Sequence, residues 1–154
     1  MAAKGRYKKI VVPTDCSGWS NRAVPHAVEI ARANDAEIIL LFVFNPPASD
    51  YIDQIALAGQ EEQIQRLREQ YKQQLAGLRN ELRNEHIQAR VQWMEGAGVA
   101  HLICDYINAE GVDLVVMSTH GHTGLARFLF GSVAHKIVEG TNTPVLLVRP
   151  HKEE

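Results

Sequence analysis

The sequence predicts a single α/β domain over residues 1–154, built on one open, mostly parallel five-stranded sheet with helices on both faces. Two observations lead there. Short apolar, β-branched runs alternate with longer segments of helical period in the order β-α-β-α-β-α-β-α-β, and parallel strands need long right-handed crossovers of that kind. Composition agrees, because 154 residues with 45% hydrophobic and 22% charged side chains describe one ordinary globular domain. A chain of this size buries about 70% of the surface its unfolded form exposes, so its core needs no disulfide or metal staple.

Ile10-Val11-Val12 opens the series as a strand, stopped by Pro13 because proline cannot donate to a sheet ladder. Ala23, Val24, Ala27, Val28, Ile30 and Ala31 then recur at helical spacing, with Ser20 or Asn21 placed to cap the start and Pro25 in the first turn. That helix closes near Asn34-Asp35. The continuous run Ile38 to Phe44 reads as a strand buried on both faces, ended by Asn45-Pro46-Pro47. Ile64, Leu67, Tyr71, Leu75, Leu78 and Leu82 form the apolar stripe of an amphipathic helix from about Gln60 to Glu85. Ile87, Ala89, Val91 and Trp93 alternate with polar neighbours and Met94, the period of a strand nearer the sheet margin.

Val99, Leu102, Ile103, Tyr106 and Ile107 mark a third helix, which stops before Gly111. Leu114 to Met117 is the fourth strand. A fourth helix follows from Phe128, Leu129, Val133, Ile137 and Val138, and Val145 to Val148 is the last strand.

The 16 basic and 18 acidic residues leave a net charge of −2, so nothing global draws the chain to nucleic acid or anionic lipid. The longest apolar run is far short of the roughly 20 residues of a membrane helix, and Met1 to Lys9 has no signal region; a cytoplasmic protein is expected. Cys16 and Cys104 have no CxxC or zinc-ribbon spacing.

Ligands of open α/β sheets bind beyond the carboxyl ends of the strands, and two of those ends carry chemistry here. The first strand ends in Pro13-Thr14-Asp15, a rigid backbone with a carboxylate able to accept from a ring amine or a ribose hydroxyl; the plain alternative is a loop-capping Asp. The fourth strand ends in Ser118-Thr119-His120-Gly121-His122-Thr123-Gly124, and the following helix carries Gly131-Ser132. Glycines admit anionic oxygens close to the backbone, and a helix amino end offers N–H donors, so a phosphate cradle is the sharper reading; turns and tight packing are the blander one. Neither a Walker A lysine nor the dinucleotide GxGxxG is present.

Taken together, Lys9 to Asp15, Leu40 to Val43, Asp113 to Gly121, Phe130 to Val133 and Thr143 to Val148 resemble the universal stress protein family (UspA-like), specifically its ATP-binding branch, over Tyr7 to Pro150. The family's nucleotide motif is Gly, two residues, Gly, nine residues, Gly and then Ser or Thr. Gly121, Gly131 and Ser132 fit it, while Ser118 holds the first glycine position. The resemblance implies a Rossmann-like sheet in the order 3-2-1-4-5, with Pro13, Thr14, Asp15, Val43 and Met117 around adenine and ribose. Gly121, Gly131, Ser132 and Val133 would hold the phosphates, with Ser118 beside them. It further implies ATP as ligand, with Mg²⁺ carried by the phosphates, and a homodimer joined through the last strand, apart from protein partners the sequence does not name.

The function expected on this basis is a stress-response regulatory or sensor module with little or no ATP hydrolysis, because no water-activating constellation is evident. The alternatives are a family member that works only through protein contacts, or a slow ATP hydrolase or nucleotidyl transferase, although the Ser-Gly-Gly-x-Asp-Ser loop of the latter is missing. His120, His122 and His135 share no acidic or Cys ligand, which disfavours a metal site. Cys16 has no paired base that would make it a nucleophile. Arg127 reads as a solvated side chain, and Trp19 and Trp93 as packing residues.

Overall fold

A computed structural model describes residues 5–46, 54–119 and 131–149. Five strands and five helices follow one another as β1 (Lys9–Pro13), α1 (Gly18–Asn21), α2 (Ala23–Asn34), β2 (Glu37–Phe44), α3 (Gln54–Asn84), β3 (Gln88–Glu95), α4 (Val99–Ala109), β4 (Leu114–Ser118), α5 (Ser132–Gly140) and β5 (Val145–Val148). The strands form one sheet in the order β3-β2-β1-β4-β5, and all four neighbouring pairs are parallel. The expected order is therefore observed.

β1 lies at the centre, and its alternation sorts the core. Ile10 and Val12 point into a layer filled by α2, Leu82 of α3 and alternate residues of β2, β3 and β4. Val11 points the other way, into a layer with Ile39, Leu41, Val115 and Met117 and with Ile103, Ile107, Ala134 and Ile137 of α4 and α5. All three β1 side chains are fully buried, as the unbroken β-branched run required. Helices cover both faces, α2 and α3 on one and α4 and α5 on the other.

Two boundaries differ from expectation, and a third is not tested. The helix placed at Ser20 or Asn21 is divided into the one-turn α1, capped by Ser17 Oγ accepting from Ser20 N–H, and α2 beginning at Ala23. Pro25 is then the third residue of α2, where a missing N–H costs nothing. The long helix begins at Gln54 rather than Gln60, because the segment ahead of Gln60 contains no proline to stop it. Phe128 and Leu129 lie outside the described residues, and the described helix there starts at Ser132.

At 31 residues α3 is about 46 Å long, whereas the eight-residue β2 and β3 span about 26 Å. Arg68 fixes where the excess lies. It pairs with Glu95 Oε1 at 2.8 Å and 3.0 Å, and Glu95 is the last residue of β3, so the fourteen residues from Gln54 to Leu67 run past the carboxyl ends of the strands.

Helix α2 ends with Asp35 in the left-handed region at φ 52° and ψ 51°, its N–H bonded to Ala31 O. An L side chain there costs about 1 kcal/mol that glycine does not incur. Asp35 is exposed. Asp35→Gly is therefore expected to stabilise the fold by about 1 kcal/mol, raising the thermal midpoint by roughly 2–4 °C in scanning calorimetry; an unchanged or lower midpoint would contradict the cap geometry.

Candidate functional site

β2 leaves β1 on one side and β4 flanks it on the other, so the order of strands reverses between β1 and β4 and their carboxyl ends are left without a crossover above them. A cavity of about 430 Å³ opens there, the size of a small-molecule site. Pro13 at the end of β1, Thr14 and Asp15 just after it, Val43 of β2, Met117 and Ser118 of β4, and Gly131, Ser132 and Val133 at the start of α5 all line it. These are nine of the ten residues that the sequence singles out. The tenth, Gly121, lies outside the described residues, as do His120, His122 and Arg127.

The β1 end of the cavity is a tight turn. Thr14 N–H still bonds Leu41 O at 3.0 Å, extending the β1–β2 ladder by one residue. Asp15 Oδ1 then accepts from Ser17 N–H at 2.9 Å, so this carboxylate organises the turn, while Ser17 rather than Asp15 caps α1. Cys16 sits between them at φ 66°.

The opposite end is the amino terminus of α5. Gly131, its N-cap, provides no side chain to bond the helix N–H groups. Its own N–H donates to Thr119 O at 2.6 Å and is therefore spent. The donors that face the cavity end are those of the first helical residues, Ser132, Val133 and Ala134, whose N–H groups have no partner within an α-helix. Together with the positive end of the helix dipole they favour an anion. Asp15 is the one charged side chain among the described residues lining the cavity. The site thus has an acceptor end and a donor end, separated by the apolar Val43, Met117, Val99 and Ile103.

Several lining residues were not legible as such. Phe42 and Phe44 point to the face opposite Val43, where they pack with Tyr71 and Trp93 at ring separations of 4.9 Å to 6.2 Å. Since Val43 and Phe44 both line the cavity, it straddles the end of β2. Leu67 and Tyr71 of α3 form its outer wall. Their stripe reads as core spacing, and the available signal was length: a helix that outruns its strands must border whatever lies beyond them.

Trp93 is a packing residue, stacked on Phe42 and Phe44 with Lys72 Nζ 5.1 Å above its ring. His135 is on the exposed side of α5, 3.1 Å from Glu139. Among the described residues no group of three or more His, Cys, Asp or Glu could hold a metal ion, and no helix is long and apolar enough to cross a membrane.

A family model for the universal stress protein family matches residues 6–149. The chain belongs to this family. Among curated universal stress proteins, MJ0531 of Methanocaldococcus jannaschii is 34% identical over 148 residues, which cover 96% of this chain and 85% of the relative. The solved structure of MJ0577, a universal stress protein of the same organism, superposes with a TM-score of 0.81 at 28% identity, covering 96% of this chain and 99% of that one. A family member from Arabidopsis thaliana with AMP bound superposes at 0.66 with 20% identity, covering 95% and 94%. Two further universal stress protein structures of this fold, at 23% and 20% identity, are complexes with cAMP and, from Archaeoglobus fulgidus, with dAMP.

In this universal stress protein, burial and then the neighbouring Asp15 carboxylate push the Cys16 thiol from 9.0 up to about 11. At pH 8 it carries about a hundredfold less thiolate than a free cysteine, and the thiolate is the reactive form. The folded chain keeps this proton between pH 9 and pH 11, where the unfolded chain has lost it, so the contribution of this group to stability falls as pH rises through that window. Iodoacetamide labelling followed by peptide mass mapping should find Cys16 alkylated roughly 100-fold more slowly than a free thiol at pH 8, accelerating toward pH 11. Labelling at the free-thiol rate would contradict the buried setting.

Proposed function

We propose that this universal stress protein binds ATP, with Mg²⁺ carried by the phosphates, in the crevice between the Asp15 turn and the amino end of α5. In this reading it is a regulatory or sensor module with little or no ATP hydrolysis. The observation that carries the reading is the pairing of a carboxylate acceptor with a helix amino end that its N-cap Gly131 leaves without a side-chain bond, at two ends of one apolar slot. A nucleotide has the matching polarity. Its base and ribose offer donors to Asp15, its flat ring suits the slot by Val43 and Met117, and its phosphates suit the N–H groups of Ser132, Val133 and Ala134. The nucleotides in the family structures with AMP, cAMP and dAMP support the same class of ligand.

The described surroundings of the α5 end support binding with little or no turnover. Phosphoryl transfer needs a group that activates or orients the nucleophile and cations on the transferring phosphate. Around Ser132 the described lining residues supply hydroxyls, from Ser118, Thr119 and Ser132, and no basic side chain. Magnesium in this reading is held by the phosphates, with Asp15 the single carboxylate among the described lining residues.

The reading in which the protein works only through protein contacts is favoured by one observation: Ser118, buried at the end of β4, places a side chain where the family motif has glycine. Isothermal titration separates the two. ATP is expected to bind, and Ser132→Ala to weaken it by roughly tenfold, the worth of one hydroxyl bond to a charged phosphate. No binding at millimolar ATP would leave only the second reading.

We further propose a homodimer through β5. This strand pairs with β4 on one side, and Leu146 is exposed at 37%. An open apolar edge invites pairing. Leu147 packs into the layer beneath α4 and α5, so its replacement would disturb the fold itself, and Leu146 is the cleaner probe. Light scattering is expected to return a mass near twice 17.2 kDa, with Leu146→Asp shifting it toward the monomer; a wild-type monomer at micromolar concentration would refute the assembly.

A further inference from the structure

Thr14 lines the cavity, yet its hydroxyl is surrounded by partners inside the protein. It donates to Asn21 Oδ1 at 2.8 Å, stands 3.0 Å from Ser20 Oγ and accepts from Cys16 N–H at 3.0 Å. A hydroxyl has one hydrogen and two lone pairs. Asn21 takes the hydrogen, Cys16 N–H occupies one lone pair, and Ser20 Oγ, whose own hydrogen reaches Ser17 O at 3.3 Å, stands against the remaining side. The hydroxyl is thus turned to protein partners on three sides, and Thr14 is 7% exposed.

The bonds continue as a closed circuit. Ser20 Oγ accepts from Asp15 N–H at 3.2 Å, and Ser20 N–H donates to Ser17 Oγ at 3.0 Å. Ser17 N–H returns to Asp15 Oδ1 at 2.9 Å. Ser20, like Thr14, is buried, at 6% exposure. Backbone and carboxylate of Asp15 are therefore both tied to the Thr14–Ser20–Asn21 cluster, and the circuit also holds Cys16 in its left-handed conformation, which the chain would otherwise leave. The bond from Ser17 N–H thereby fixes the orientation of the Asp15 carboxylate within the turn.

We infer that Thr14, Ser20 and Asn21 are positioning residues that aim the Asp15 carboxylate at a donor of the nucleotide, with the Thr14 hydroxyl making no ligand contact of its own. The inference rests on the nucleotide-binding reading and assigns Thr14 a different task from the one family resemblance implies, that of a residue lying against adenine or ribose. A hydroxyl contacting the ligand and a hydroxyl aiming its neighbour predict different selectivity. A loosened Asp15 loses its discrimination among donors, whereas a merely destabilised fold weakens all nucleotides alike.

The test is titration calorimetry with ATP, with GTP, which has a carbonyl where adenine has its amino group, and with 2′-deoxyATP, which lacks the ribose 2′-hydroxyl. For Thr14→Val the preference for ATP over the poorer analogue is expected to collapse by roughly tenfold, the scale of one charge-assisted hydrogen bond. Thr14→Ser, which keeps the hydroxyl, is expected to retain it within about twofold. Should Thr14→Val fail to fold, Asn21→Ala removes the outer member of the cluster and is expected to show the same loss of preference. Equal weakening of all three nucleotides, wild-type ratios in the variants, or a wild-type protein that binds ATP without preference would each overturn the positioning role. A wild-type protein that binds none of the three instead overturns the nucleotide-binding reading on which it rests.

Discussion

Everything in the crevice depends on the parallel pairing of β1 with both of its neighbours. Ile10 and Val11 are bonded into the ladders of β2 and β4 alike, and their side chains fill opposite core layers without exposure. A parallel strand must be left by a crossover, and right-handed crossovers from β1 to β2 and from β3 to β4 carry the chain to opposite faces of the sheet. The space above the ends of β1 and β4 is covered by neither. The turn after Pro13 and the amino end of α5 are brought together there as a consequence of topology, although Asp15 and Gly131 are 116 positions apart in the sequence.

Electrostatics then divides the labour within that space. The Asp15 end is an acceptor and carries negative charge, while the α5 end consists of donors at the positive pole of a nine-residue helix. An anion placed at the wrong end would meet like charge, so a ligand with a phosphate tail and a donor-bearing head has one favourable orientation. Between the ends the lining is largely apolar, which discourages water and strengthens both polar interactions.

The fold was largely legible in the sequence because its signals are local. Ile10 to Val12 and Ile38 to Phe44 are continuous apolar runs that only doubly covered strands need, and Trp93 sits in an alternating run that fits the edge strand β3. The site was legible in part. Asp15 and Ser132 stand at the ends of elements, where side chains are free of the core and residue type reflects chemistry. What local reading could not supply was partnership. Thr14 does line the cavity, but nothing in its immediate neighbours shows that its hydroxyl meets Ser20 and Asn21, six and seven residues later. Leu67 and Tyr71 carry ordinary core spacing, and only the excess length of α3 over β3 places them beyond the sheet. The division of the first helix at Arg22 was equally hidden, since Arg22 is no helix breaker.

The central claim is that one ligand engages both ends of the crevice at once, and amide hydrogen exchange with and without ATP measures it directly. Exchange at a backbone amide slows when a ligand bonds it or removes its local opening. The account predicts protection concentrated in two separated segments, residues 13 to 17 and residues 131 to 134, appearing together at the same ATP concentration. Protection confined to one of them, or spread evenly over the chain, would contradict it.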